Sequence, residues 1–229
     1  MGDYYGYMMV AGLLSLVGMF VSNRLKSKFK KYSQMPLRSG MSGREVSEAM
    51  LRHFGVQGVQ IVEGRGFLTD HYNPLTKTVS LSPEVFHGRS VAAAAVAAHE
   101  VGHAVQHDQS YSMLKMRSAL VPIVNMSARA QQWLLIIAFM TLSTMPSIML
   151  ITIIAFAITT LFSFITLPVE FDASKRALVW LDNSGATQGA EYDGAKDALW
   201  WAAMTYVSAA LSSLVMLLYL VMRYAGAND

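Results

Sequence analysis

From Ser147 to Leu167 the chain runs for 21 residues without one charged side chain. At a helical rise of about 1.5 Å per residue such a run reaches roughly 31 Å, the thickness of a bilayer's hydrocarbon core. A backbone in hydrocarbon satisfies its own N–H and C=O groups only as a helix or a closed barrel, so this stretch predicts a membrane-spanning helix. Three further runs extend the pattern. Tyr4–Val21, broken by small residues (Gly6, Gly12, Ser15, Gly18), reaches roughly 27 Å as a helix. It ends in Val21-Ser22-Asn23-Arg24 with no small-residue cleavage site, and so is expected to be a retained anchor. Trp201–Met222 is a third run, with Ser208, Ser212 and Ser213 on it. The segment 119–142 is interrupted by Asn125, Ser127, Arg129, Gln131 and Gln132, a polar half expected to face protein rather than lipid. A tight turn at Ser143–Pro146 would join it to the next span. The expectation is a mainly α integral membrane protein with about four transmembrane helices: 4–21, 119–142, 147–167 and 201–222.

Charge supports that layout. Only 14% of residues are charged, against about 25% in ordinary soluble domains. Arg24, Lys26, Lys28, Lys30, Lys31 and Arg38 follow the first run, the usual cytoplasmic stop against anionic headgroups. With the N-terminus outside and four spans, the segments 22–118 and 168–199 become cytosolic, and they hold 16 of the 18 Lys and Arg residues. A nucleic-acid-binding arm would interleave aromatics with these cations, and only Phe29 and Tyr32 do so; nucleic acid is not an expected partner. The absence of cysteine removes disulfide scaffolds, thiol nucleophiles, Fe–S clusters and cysteine zinc sites.

Within 22–118, Ser42-Gly43-Arg44-Glu45 fits a capping box opening a helix with Val46, Met50 and Phe54 on one face and Gly55 as its stop. Short strands are expected at Val59–Val62, Phe67–Tyr72 and Thr78–Ser82, the last two joined by a turn through Asn73-Pro74. Ser90 then caps an alanine-rich helix running to Asp108, and the chemistry sits on it. His99-Glu100-Val101-Gly102-His103 places two imidazoles one turn apart on one helical face, able to grip one Zn²⁺. Glu100 lies roughly 100° around the helix, where its carboxylate reaches a water on the metal rather than the metal itself. As general base it would activate that water against a peptide carbonyl and return the proton to the leaving amine.

Zinc hydrolysis requires a third protein ligand and an open fourth position. A straight helix cannot wrap a third turn around the same ion, so His107 is expected to support a ligand, face substrate or simply be solvated. The candidates are Glu170, Asp172, Asp182, Glu191, Asp193 and Asp197. Glu170 is preferred, because Pro168 suits the first turn of a new helix that would hold it rigidly where the chain leaves the membrane. Asp172 is four residues before Arg176, an ordinary helical ion pair, or support for a zinc-bound histidine.

AAHEVGHAVQH (97–107), LTDHYNP (68–74), GRSVAA (88–93) and LPVEFDAS (167–174) together resemble the YugP-type bacterial membrane zinc metallopeptidases over nearly the whole chain. The resemblance implies a gluzincin-like site in a zincin-like domain: one zinc per chain on His99, His103 and Glu170, with Glu100 as base. The more distant HtpX-like and CAAX prenyl proteases share the layout, with a helical Glu-x-x-Ala-Asp whose aspartate supports the metal site. Glu170 and Ala173 match that pattern, and Ser174 stands where it has the aspartate. The implied activity is hydrolysis of protein or peptide substrates, membrane-associated or damaged ones, at the cytosolic face of the cell membrane.

Lesser expectations surround the site. Thr78–Ser82 could offer a sheet edge for an extended substrate, and His71, Tyr72 and Tyr192 could stabilise an oxyanion. Two other readings exist. A site-2-type intramembrane protease would take Asp182, in Trp180-Leu181-Asp182, as its third ligand, although Asn183 replaces the glycine of that motif. A non-enzymatic scaffold would hold zinc structurally, a role that gives Glu100 no work.

Overall fold

In a computed structural model of the chain, residues 2–142 and 144–226 are described. The elements run α1 (Gly2–Ser33), α2 (Gly43–Phe54), β1 (Gln60–Glu63), β2 (His71–Asn73), β3 (Thr78–Leu81), α3 (Pro83–Phe86), α4 (Val91–Asp108), α5 (Ser112–Thr141), α6 (Pro146–Asn183) and α7 (Ala190–Ala225). They divide into two compact units, one of Ser22–Lys115 with Pro168–Met204, the other of Met1–Val21, Met116–Leu167 and Thr205–Asp229.

The first unit is built around α4. Ser90 caps it by accepting the Ala93 N–H at 3.3 Å, and Ala92, Ala94, Ala95, Ala97 and Ala98 are fully buried. The alanines explain themselves here: a helix enclosed on several sides accommodates its neighbours only with short side chains. Val46 and Met50 of α2, Val79 and Leu81 of β3, and Trp180 and Leu181 of α6 complete this core. Helix α2 begins with the expected capping box: Ser42 N–H donates to Glu45 Oε2 at 2.7 Å and the Glu45 N–H donates to Ser42 Oγ at 3.3 Å. It ends at Gly55, whose φ of +67° suits glycine.

The sheet has the order β1-β3-β2, with β1 parallel to β3 (Gln60 opposite Thr78) and β2 antiparallel to it (His71 opposite Ser80). This corrects two expectations. Strand β3 is central, so Thr78–Ser82 is not an edge; the outer edges belong to β1 and β2. The strand expected at Phe67–Tyr72 starts only at His71, because Leu68 adopts a left-handed φ of +56° that breaks the extended run.

In the second unit Leu135, Ala138, Met149 and Leu220 form a small core, flanked by a cluster of Tyr4, Tyr7 and Phe139. On the polar half of α5, Gln131 finds protein partners, its Nε2 donating to the Ala155 carbonyl and to Thr159 Oγ1 of α6, both at 2.8 Å, and Ser127 is buried. Asn125, Arg129 and Gln132 are exposed, against the expectation that this half faces protein. Among the described residues three helices are long and apolar enough to cross a membrane, Tyr4–Ser33, Pro146–Asn183 and Ala190–Ala225. Helix α5 covers the expected span 119–142 up to Thr141 but is diluted by Asn125, Arg129, Gln131 and Gln132 and falls short of that apolarity. In the turn expected at Ser143–Pro146, Ser143 lies outside the described residues.

Pro168 does not open a new helix. Helix α6 runs through it from Pro146 to Asn183, and the proline marks the boundary between the two units instead. A proline in a helix removes one N–H and crowds the carbonyl four residues back. The chain tolerates that loss while keeping the helix continuous.

Candidate metal centre

Helices α4 and α6 supply the site, and Gly102 lets them meet. A Cβ at Gly102 would lie 2.6 Å from the Ala173 carbonyl oxygen and 3.1 Å from Ala173 Cα, so the backbones approach as only glycine permits. Glu170 and Ser174 on α6, either side of Ala173, are thereby brought to the histidines of α4. Glu170 Oε2 lies 3.3 Å from His99 Nε2 and 3.5 Å from His103 Nε2. The two rings are 4.8 Å apart and nearly perpendicular. One ligand atom from each of the three residues falls within 4.8 Å of the others.

The donor set fits zinc. Bonds of about 2.05 Å to a tetrahedral ion give ligand–ligand edges of about 3.4 Å, close to the two carboxylate–imidazole distances. Each imidazole also has its other nitrogen engaged. His103 Nδ1 lies 3.0 Å from Gln106 Oε1 and His99 Nδ1 lies 3.1 Å from Ser174 Oγ, which leaves both Nε2 atoms directed at Glu170. Ser174 thus offers His99 a neutral hydroxyl.

Electrostatics follow from burial. Glu170 is 1% exposed. Burial alone would lower the basicity of His103, but the hydrogen bond and charge of Glu170 outweigh it and raise the imidazole pKa above its ordinary value. Burial also pushes the Glu100 carboxyl up, against the pull of His99 and His103, with Glu170 and Asp70 adding to the rise.

His107 is half-buried one turn beyond His103 and pairs through Nδ1 with the Tyr72 hydroxyl at 2.8 Å. His71 is exposed, with Nδ1 2.9 Å from the Thr69 carbonyl, a local turn contact. Asp172 bonds to Gln106 and to Arg176 rather than to a histidine. Tyr192 lines a groove between α6 and α7. Among the remaining acids, Asp197 takes Lys28 Nζ at 2.7 Å and the Tyr32 hydroxyl at 2.6 Å. Glu191 accepts the Arg38 N–H at 2.8 Å, and Asp182 and Asp193 are exposed. None of these four belongs to the ligand cluster.

Two residues escaped the sequence reading. Gln106 carries a faint hint in its spacing, a polar side chain three residues after His103. Asp70 accepts the Ser82 N–H at 2.7 Å and the Ser82 hydroxyl at 3.0 Å, tying the start of β2 to the N-terminus of α3; nothing local in the sequence announces that pairing.

No solved structure matches the chain. The chain is 42% identical over 206 residues, 90% of its own length and 91% of the relative's, to the "Putative membrane protease YugP" of Bacillus subtilis (strain 168). Residues 7–225 match the family described as "Putative neutral zinc metallopeptidase". With that match spanning almost the whole chain, including the α4 histidines and Glu170, the protein belongs to this family of zinc metallopeptidases.

Proposed function

We propose that the protein is a multi-pass membrane metalloendopeptidase whose zinc is held by His99, His103 and Glu170, with Glu100 as general base. The observation that carries this reading is Glu170 Oε2 at 3.3 and 3.5 Å from the two imidazole Nε2 atoms. When bound, zinc supplies Lewis-acid activation of water and of the scissile carbonyl. The residues do the rest. Glu100 takes the proton of the attacking water and passes it to the leaving amine. Burial, by raising its affinity for that proton, suits it to both halves of the transfer. Gln106 and Ser174 hold the imidazoles in orientation. The outer edge of β2, joined to α4 through Tyr72 and His107, offers an extended peptide main-chain hydrogen bonds.

In this reading 4–21, 119–142, 147–167 and 201–222 span the bilayer, and α5 counts as a span because Gln131 bonds to α6. The segments 22–118 and 168–199 face the cytoplasm, where the Lys and Arg residues concentrate. Substrates are membrane-associated or damaged proteins. A site-2-type arrangement with Asp182 as ligand gains no support, because Asp182 is exposed outside the ligand cluster.

The test is zinc content and peptide hydrolysis of purified wild type and Glu100→Gln. Glu100→Gln is expected to keep about one zinc per chain and lose about 10²–10⁴-fold in rate, the usual worth of a positioned base. Full activity in that variant would remove Glu100 from the mechanism.

A further inference from the structure

We infer that Gln106 is a positioning residue that fixes His103 in the one tautomer able to ligate the metal through Nε2. The inference rests on the zinc site proposed above and deepens it.

Gln106 is fully buried and all three of its polar partners are in place. Its Nε2 lies 2.8 Å from the Val169 carbonyl oxygen and 2.8 Å from Asp172 Oδ2. Both partners only accept hydrogen bonds, so the amide nitrogen must face them, and the orientation of the amide follows from its surroundings. Oε1 is then left facing His103 Nδ1 at 3.0 Å. An amide oxygen can only accept, so Nδ1 must carry a hydrogen, and in the neutral ring Nε2 is then the nitrogen without one, the atom that would take a metal.

The far end is anchored as well. Asp172 Oδ2 also accepts Arg176 Nε at 2.5 Å, and Arg176 reaches back to Gln109 Oε1 of α4 at 2.6 Å. Because Val169 immediately precedes Glu170, the same amide ties the helix of one ligand to the helix of the other two. His99 differs. Its partner Ser174 Oγ can donate or accept, so Ser174 leaves that tautomer open while Gln106 closes the other.

The experiment measures zinc affinity of the full-length protein in detergent by chelator competition, beside thermal unfolding of the zinc-free form. Gln106→Met keeps the side-chain length and removes the acceptor. It is expected to weaken zinc binding about 10–100-fold, the range for partners that orient a ligand histidine. Gln106→Glu keeps an oxygen for His103 but sets its second oxygen against Asp172 and the Val169 carbonyl, so its affinity should fall too. Adding Asp172→Asn returns a donor to that carboxylate and should recover part of the loss. Wild-type zinc affinity in Gln106→Met, whatever its thermal stability, would reduce Gln106 to packing and overturn the inference. Should that variant fail to fold, a double variant binding zinc no better than Gln106→Glu would overturn it equally. The metallopeptidase reading fails separately, if the wild type binds no zinc.

Discussion

Gly102→Ala tests whether the closeness of α4 and α6 is what assembles the metal centre. The new Cβ would lie 2.6 Å from the Ala173 carbonyl oxygen, where ordinary contact begins at 3.4 Å, so the backbones must separate by about 0.8 Å. Two stability effects then oppose each other. Alanine in a helix interior is favoured over glycine by about 1 kcal/mol, and overpacking a tight contact costs about 1–3 kcal/mol. The net change is at most about 2 kcal/mol, which a folded chain survives. The metal site is less forgiving. Glu170 rides on α6 one turn from Ala173, and its oxygen stands 3.3 and 3.5 Å from the imidazoles. A shift near 0.8 Å exceeds by several-fold the roughly 0.2 Å that metal–ligand distances tolerate. Zinc affinity is therefore expected to fall by at least about tenfold, and hydrolysis at fixed zinc by up to about 100-fold. Chelator competition, thermal unfolding and cleavage of an unfolded protein substrate, run on the same preparation, read all three quantities. Gly12→Ala is the control, because a Cβ there meets nothing within 4 Å. A Gly102→Ala protein with wild-type zinc affinity and rate would show that the close approach does not set the ligand geometry.

Other perturbations separate the remaining assignments. Glu170→Ala should lose zinc beyond the roughly 100-fold that removing an orienting partner costs, whereas Asp182→Ala should retain it; equilibrium dialysis distinguishes them, and the opposite ranking would favour the site-2-type ligand set. Glu100 acts as base only when deprotonated, and burial raises its pKa. Activity should therefore be lost on acidification at a pH above the ordinary carboxylate range, and kcat/KM against pH with an acid limb at or below that range would contradict the assignment. The chain has no cysteine, so Leu75→Cys, at a turn position 94% exposed, gives one labelling site. A membrane-impermeant maleimide should modify it in inverted vesicles and not in intact spheroplasts; the reverse pattern would place the first unit outside the cell.

What the sequence disclosed and what it withheld divide along the range of the interactions. Ser42 with Glu45 and Ser90 with Ala93 are contacts three residues apart, and local chemistry alone places them. His99, Glu100 and His103 are legible for the same reason, since all three lie within about one turn of a single helix. Glu170 is 67 residues beyond His103, and residue type and chain position single it out from five other acids only as a preference. The sheet order is a pairing of β1 with β3 across the turn that contains β2, and no periodicity encodes it. Pro168 was misleading because a proline weighs against helix continuity on local grounds, while the polar anchors on either side of the chain's return, Gln106 on the Val169 carbonyl and Ser174 on His99, hold α6 in register just beyond it. Those anchors explain why spacing alone gives only a hint of Gln106: an amide three residues after His103 acquires meaning only once the carbonyl of Val169 and the carboxylate of Asp172 are known to face it. The site is thus half local and half tertiary. The local half could belong to any helix bearing the same five residues, and it is the tertiary half, Gly102 against Ala173 and Gln106 across to α6, that decides whether the two imidazoles meet a carboxylate at the spacing of a zinc ion.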